Sequence, residues 1–400
     1  MYKKNQTIVF LIISVLLNTG FNQEKPKKII TGADQVYAYL PYLNGKKIGM
    51  LVNKTSIIGN KPSVDSLRDL GIDVKLIFGP EHGFRSNASN GEEVANEIDP
   101  QTKIPIISLY GRNRKPLKGD LDKVDVMIFD IQDVGCRFFT NINTLRDVME
   151  ACAENGKELI ILDRPNPNGY VDGPVLDMNL KSGIGQFPIP ITHGMTIGEF
   201  AQMINGEGWL ANKIKCKIKI IKLKNYSHDI AYKLPVSASP NLNTQQGVLL
   251  YPSTCLFEGT ILSQGRGTYI PFTVLGSPYL KGIYDFNFTP VSIKGMKLAP
   301  LHQDKACYGI NLQNYDTKKL HDSGKINLKW LMELYKIYPK KEDFFDASIS
   351  SEINDFDRLA GTTDLKKQII KGVSEKEIRK SWEPKLSQYK VMRKKYVLYP

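Results

Sequence analysis

The sequence predicts an α/β protein, with a helix-covered parallel sheet in its first half and a smaller mixed α+β unit in its second. Three observations carry this. Short, nearly continuous Val/Ile/Leu runs recur between Lys47 and Leu162; helix-compatible stretches separate them; and after about Gly206 the rhythm changes. Apolar runs without polar alternation mark strands buried on both faces, which is the situation of a parallel sheet.

Taken in order, Lys47–Asn53, Val74–Phe78, Ile104–Leu109, Val126–Phe129 and Leu159–Leu162 read as strands. Ser63–Leu70 and Asn143–Asn155 read as helices, with Gly71 and Gly156 where they should stop. This β-α-β rhythm describes a Rossmann-like domain over residues 27–206. Lys215–Leu223 alternates basic and apolar residues, as a half-exposed strand does. Val236–Pro290, rich in Pro, Gly, Ser and aromatics, predicts loops and short strands. Helical patterns return at Leu328–Lys336, Leu365–Val373 and Glu375–Ser381, ahead of a basic tail, and complete a smaller α+β domain over 207–400.

Composition bounds the function. Of 400 residues, 42% are hydrophobic and 24% charged, which excludes a disordered, collagen-like or coiled-coil chain. A net charge of +13 favours anionic surroundings: nucleic acid, a membrane surface or a charged cell-wall polymer. Lys3 and Lys4 precede the apolar run Ile8–Leu17, followed by Asn18, Thr19 and Gly20. This order predicts a signal peptide over residues 1–22 and export to the periplasm or the exterior. The run falls short of the roughly 20 residues of a membrane span, and no cysteine nearby offers a lipid anchor. The five cysteines (Cys136, Cys152, Cys216, Cys255, Cys307) are odd in number and widely spaced, so buried free thiols are expected.

In open α/β sheets ligands bind beyond the carboxyl ends of the strands, and here those ends carry polar clusters. Val74–Phe78 runs into Gly79-Pro80-Glu81-His82-Gly83-Phe84-Arg85, Val126–Phe129 into Asp130-Ile131-Gln132-Asp133-Val134-Gly135, and Leu159–Leu162 into Asp163-Arg164-Pro165-Asn166-Pro167. His193-Gly194-Met195-Thr196, Ser239-Pro240-Asn241, Glu258-Gly259-Thr260 and Gly265-Arg266-Gly267-Thr268 follow. Each alone reads as a turn or an ion pair; together they predict a binding cleft.

No GxxxxGK[ST], HExxH or GxSxG motif occurs. Gly183-Ile184-Gly185 is only part of a dinucleotide fingerprint and follows no strand, so no nucleotide cofactor is expected. His82, His193, His228, His302 and His321 lack ligand spacing, so no metal is expected either. Lys215, Lys217, Lys219, Lys222 and Lys224 read as a solvated face, and nucleic acid is not an expected partner.

Carboxylate chemistry in a cleft remains. Glycoside hydrolysis needs a protonated acid for the leaving oxygen and a second group as base, nucleophile or stabiliser. Glu81, between Phe78, Pro80 and Phe84, suits the acid because an apolar setting raises a carboxyl pKa. His82 is a further candidate beside it, pointing to the other side if strand geometry persists. For the second group Asp130, Asp133, Asp163, Glu258 and His193 all stand open.

At these residues the sequence resembles the exo-β-N-acetylmuramidases, the NamZ-type glycoside hydrolases. The likeness rests on GPEHGF, SLYG (Ser108–Gly111), FDIQDVG (Phe129–Gly135), LDRPNP (Leu162–Pro167), HGMT, EGT…GRGT and the closing Trp382…Arg393…Tyr396–Tyr399 pattern. It implies an enzyme that removes N-acetylmuramic acid from the non-reducing ends of peptidoglycan fragments, with the active site between a Rossmann-like and a smaller domain. It also implies that Glu81 is the catalytic acid. Cys136, where the family more often has a small residue, and the Asn/Ser-rich loop Ser86–Asn96 depart from the pattern.

N-acetylmuramic acid carries a lactyl carboxylate, for which Arg137, Arg164 and Arg266 offer bidentate donors. Tyr110, Phe138, Phe139 and Tyr269 are candidates to pack on a sugar ring, and Asn141 and Asn143 to bond an acetamido group or hydroxyl. Arg85, Asp133, Asp163, Asn166 and Asn241, within the same clusters, complete the expected substrate-binding set. Two rival readings are a non-catalytic cell-wall-binding protein and an esterase or amidase on the same polymer. The latter needs a nucleophile–base pair, and neither Ser108 nor Cys136 sits in a nucleophile elbow.

Overall fold

A computed structural model describes residues 27–80, 83–85, 96–111, 113–345 and 356–400. Six parallel strands form the main sheet: β1 (Lys47–Val52), β2 (Asp73–Gly79), β3 (Pro105–Ser108), β4 (Val126–Asp130), β5 (Glu158–Leu162) and β6 (Lys217–Ile221). Their spatial order is β3-β2-β1-β4-β5-β6, with a seventh, antiparallel strand, Glu97–Ile98, added beyond β3. This is the Rossmann strand order, whose switch point lies between β1 and β4.

Side-chain alternation explains why both faces are covered. Val126 and Ile128 of β4 join a core with Tyr39, Leu43, Val64 and Leu67 from helices Val36–Leu43 and Ser63–Asp69. Met127 and Phe129 join the opposite core, with Leu145, Val148 and Phe200 from helices Asn141–Glu154 and Ile197–Gly206. Gly71 and Gly156 follow the ends of two helices with φ of 80° and 65°.

The strand Lys217–Ile221, expected in the second domain, pairs with β5 as the sheet's edge. The first unit therefore extends past the boundary expected at residue 206. Its basic–apolar alternation reflects an edge strand with one exposed side, not a change of domain.

The second unit is built on an antiparallel sheet of Val274–Ser277, Cys307–Asn311 and Asn287–Phe288, packed with helices Gln245–Thr254, Lys329–Ile337, Phe356–Ala360, Asp364–Ile370 and Glu375–Arg393. Two of these depart from expectation. Helix Gln245–Thr254 lies in the predicted loop region and contains Pro252; Thr244 caps it by accepting the Gly247 N–H at 3.0 Å. Helix Glu375–Arg393 runs past Ser381 and through Pro384, since Ile378, Trp382, Leu386 and Tyr389 form one buried stripe. All five cysteines are free and buried, as expected.

The C-terminus returns to the first unit. The Tyr399 hydroxyl donates to Asp163 Oδ2 at 2.6 Å and accepts the Leu223 N–H at 3.0 Å. Asp163, wholly buried at the end of β5, also accepts from Thr196 Oγ1 (2.7 Å) and Gly198 N–H (2.8 Å). Burial raises its pKa from 3.8 to about 6, against the lowering effect of these donors. A folded pKa above the unfolded one means that stability falls as pH rises from about 4 through 6, while the carboxylate ionises in place. Tyr399→Phe should thus cost about 1–3 kcal/mol in urea denaturation, more at about pH 8 than at about pH 5, because the ionised carboxylate depends most on its donors. Equal costs at both pH values would contradict this role.

Candidate active site

Loops leaving the carboxyl ends of the strands meet the second unit around a cavity of about 420 Å³, within the range of small-molecule sites. The first unit contributes Asn53 after β1, Leu109 and Tyr110 after β3, and Phe138, Phe139, Thr140, Asn141 and Asn143 after β4. The second contributes Ser239, Asn241, Tyr251, Glu258, Arg266 and Phe272. Val134, Cys136 and Phe138 pack into the core of the second unit, so the loop after β4 joins the two.

Eight of the expected residues line this cavity: Tyr110, Phe138, Phe139, Asn141, Asn143, Asn241, Glu258 and Arg266. Glu258 accepts hydrogen bonds from Arg266 Nε and, at 3.0 Å, from Gln264 Nε2. The Arg266 guanidinium also stands 5.1 Å from the centre of the Phe272 ring. Asn143 Nδ2 donates to the Gly183 carbonyl at 2.8 Å and Asn241 Nδ2 to the Met296 carbonyl at 3.1 Å. An aromatic wall is set edge to face, with Tyr251 at 5.2 Å from Phe138 and 4.8 Å from Phe272. Tyr269, expected to pack on a sugar, is 73% exposed and outside the lining.

The other expected residues lie elsewhere. Asp130, fully buried, accepts from Arg164 Nε at 2.7 Å, and Arg164 also donates to the Ile57 carbonyl at 2.9 Å. His193 Nδ1 accepts the Met195 N–H at 3.2 Å, which leaves the ring proton on Nε2, 3.7 Å from Asp133 Oδ2. Asp133 accepts the Gly135 N–H at 2.7 Å. Asn166 bridges the Met195 carbonyl and the Asn168 N–H. It presses so closely on Gly135 (φ 78°) that a Cβ there would overlap it. Arg85 is paired with Asp99 at 2.6 Å. Glu81 and His82 lie outside the described residues.

Arg137 is the clearest correction. Expected to read a substrate carboxylate, it is completely buried and donates to the carbonyls of Pro174 and Ile189 (both 2.8 Å) and Leu359 (2.7 Å). Desolvation lowers its pKa to about 9, which still leaves it charged at neutral pH. It ties the loop after β4 to both units. Arg164, bound to Asp130, is likewise committed to the interior.

Two charged lining residues escaped sequence reasoning. Asp147 lies one helical turn after Asn143, a spacing that puts both on one face of helix Asn141–Glu154. Its pKa is raised by burial, against the lowering pairing with Arg146. Arg114 follows the Ser108–Gly111 motif by three residues, where no periodic signal marks it.

Family models match almost the whole described chain: "Exo-beta-N-acetylmuramidase NamZ, N-terminal" over residues 48–246 and "Exo-beta-N-acetylmuramidase NamZ, C-terminal" over 249–399. The peptidoglycan beta-N-acetylmuramidase NamZ of Bacillus subtilis (strain 168) is 38% identical over 394 residues, covering 94% of this chain and 92% of that protein. Two crystal structures of DUF1343 family proteins from Bacteroides fragilis NCTC 9343 share the fold. One has a TM-score of 0.84 at 44% identity, the other 0.77 at 27%, and each similarity covers 93% of this chain and 99% of the other.

Arg137→Met should take a donor from each of three buried carbonyls, of which only that of Ile189 keeps another among the described residues, the Leu176 N–H at 3.0 Å, and cost about 3–5 kcal/mol in urea denaturation. A fully stable variant that had lost only substrate affinity would place Arg137 in the cavity after all.

Proposed function

The chain belongs to the exo-β-N-acetylmuramidase NamZ family, and from that premise we propose that it is an exo-acting glycoside hydrolase releasing N-acetylmuramic acid from the non-reducing ends of peptidoglycan fragments. One observation carries the reading beyond the family match. The carboxyl end of β2 lies between those of β1 and β3, whose outgoing residues Asn53 and Tyr110 both line the cavity. The motif containing Glu81 starts from that end: Gly79 and Pro80 precede it, and the Gly83 N–H closes back on the Pro80 carbonyl at 2.9 Å.

In this reading Glu81 protonates the leaving glycosidic oxygen. Glu258, the one expected partner carboxylate among the described cavity residues, faces the reacting sugar with its orientation fixed by Arg266 and Gln264. The Tyr251, Phe138 and Phe272 wall packs on the apolar face of the ring. Export to the periplasm or the exterior, where the polymer lies, is part of the proposal. It rests on the lysine-led apolar segment at the N-terminus, which is outside the described residues.

The test uses a chromogenic β-N-acetylmuramide beside the matching β-N-acetylglucosaminide. Release from the muramide alone is expected. Glu81→Gln should lower kcat at least a hundredfold, roughly the weight of a general acid, while the ligand still binds by calorimetry. No release from the muramide by the wild type would overturn the activity; a near wild-type rate for Glu81→Gln would overturn the acid.

A further inference from the structure

We propose that Arg114 reads the lactyl carboxylate and so decides between muramides and glucosaminides at this site; the inference rests on the activity proposed above. It follows from the charges around the cavity. Among the described residues four charged side chains line it: Arg114, Asp147, Glu258 and Arg266. Glu258 and Arg266 are paired with one another. Asp147 is paired with Arg146, which stands behind the lining. Arg114 remains. Among the described residues no hydrogen bond or ion pair engages its guanidinium, and the half-buried Asp147 feels its charge.

The three arginines first expected to take the carboxylate are therefore committed elsewhere: Arg137 to backbone carbonyls, Arg164 to Asp130 and Arg266 to Glu258. Arg114 lies at the exposed rim, beside the Ser182–Gly185 turn; its NH1 is 3.9 Å from where a Cβ on Gly183 would sit. The carbonyl of Gly183 holds Asn143, so the free cation and a fixed amide share one side of the cavity. N-acetylmuramic acid differs from N-acetylglucosamine by one ether-linked carboxylate, and a planar guanidinium meets a carboxylate with two parallel hydrogen bonds. A free cation at the rim selects for that difference. Because the rim is in water, the selection weakens with salt.

The experiment compares a chromogenic β-N-acetylmuramide with its lactyl methyl ester, which keeps the bulk and loses the charge. Wild type should prefer the acid by roughly tenfold to a hundredfold in kcat/KM, the scale of one charged hydrogen-bonded contact. Arg114→Ala should reduce that preference to within about twofold, through KM rather than kcat, and Arg114→Lys should retain part of it. An unchanged preference in Arg114→Ala, or a wild type indifferent to esterification, overturns the assignment. Failure of the wild type on both substrates overturns instead the activity on which it rests.

Discussion

A single buried carboxylate gathers the parts of this molecule. Asp163, at the carboxyl end of β5, is without solvent contact and is held by a hydroxyl from each of two distant segments and by a helix N-terminus. An ionised group taken out of water is costly unless donors replace the hydration it loses. Thr196 and Gly198 supply two of them as the chain enters helix Ile197–Gly206, where Thr196 and Glu199 form a capping box. Tyr399 supplies another from the far end of the chain. Glu199 repeats the device, accepting the Leu398 N–H at 2.7 Å and lying 3.0 Å from His228 Nε2. The last residues are thereby fastened to the Rossmann-like unit, and helix Glu375–Arg393 is drawn across both units.

This architecture sorts the polar clusters at the strand ends into two layers. Asp130 with Arg164, Asp133 near His193, Asp163 with Tyr399, and Arg137 among its carbonyls make an inner layer that fixes the loops. Tyr110, Asn143, Glu258 and Arg266, joined by Arg114 and Asp147, make an outer layer facing the cavity. The inner groups are buried and held by these partners, while Asp130 Oδ2, Asp133 Oδ1, Arg137 Nε and His193 Nε2 make no hydrogen bond among the described residues. Their service to the site is precision of placement: Arg137, for one, ties the loop after β4 to the Leu359 carbonyl of the second unit.

The strands were legible because a doubly covered parallel sheet leaves continuous apolar runs, as Val126–Phe129 and Leu159–Leu162 show. Two helices were less so. Pro252 and Gly247 disguise helix Gln245–Thr254, and the helix expected over Glu375–Ser381 is carried on through Pro384 to Arg393 by burial of Trp382, Leu386 and Tyr389. The cavity's place at the strand ends was also legible, since polar clusters at several strand ends pointed to one crevice. Side-chain direction was not. In Gly135-Cys136-Arg137-Phe138 nothing local says that Arg137 turns inward while Phe138 reaches the cavity; contacts with residues as distant as Leu359 decide it. The helical spacing of Asn143 and Asp147 carried a signal that went unused, whereas Arg114 became visible only once its rivals were seen to be paired.

The central claim is that this cavity takes one terminal muramyl unit at a time. Mass spectrometry of products from two sets of peptidoglycan fragments tests it most directly, one set ending in N-acetylmuramic acid and the other in N-acetylglucosamine at the non-reducing end. The account predicts free N-acetylmuramic acid from the first set, a shortened chain with a newly exposed N-acetylglucosamine, and no reaction with the second. Disaccharides or longer pieces from either set would contradict it.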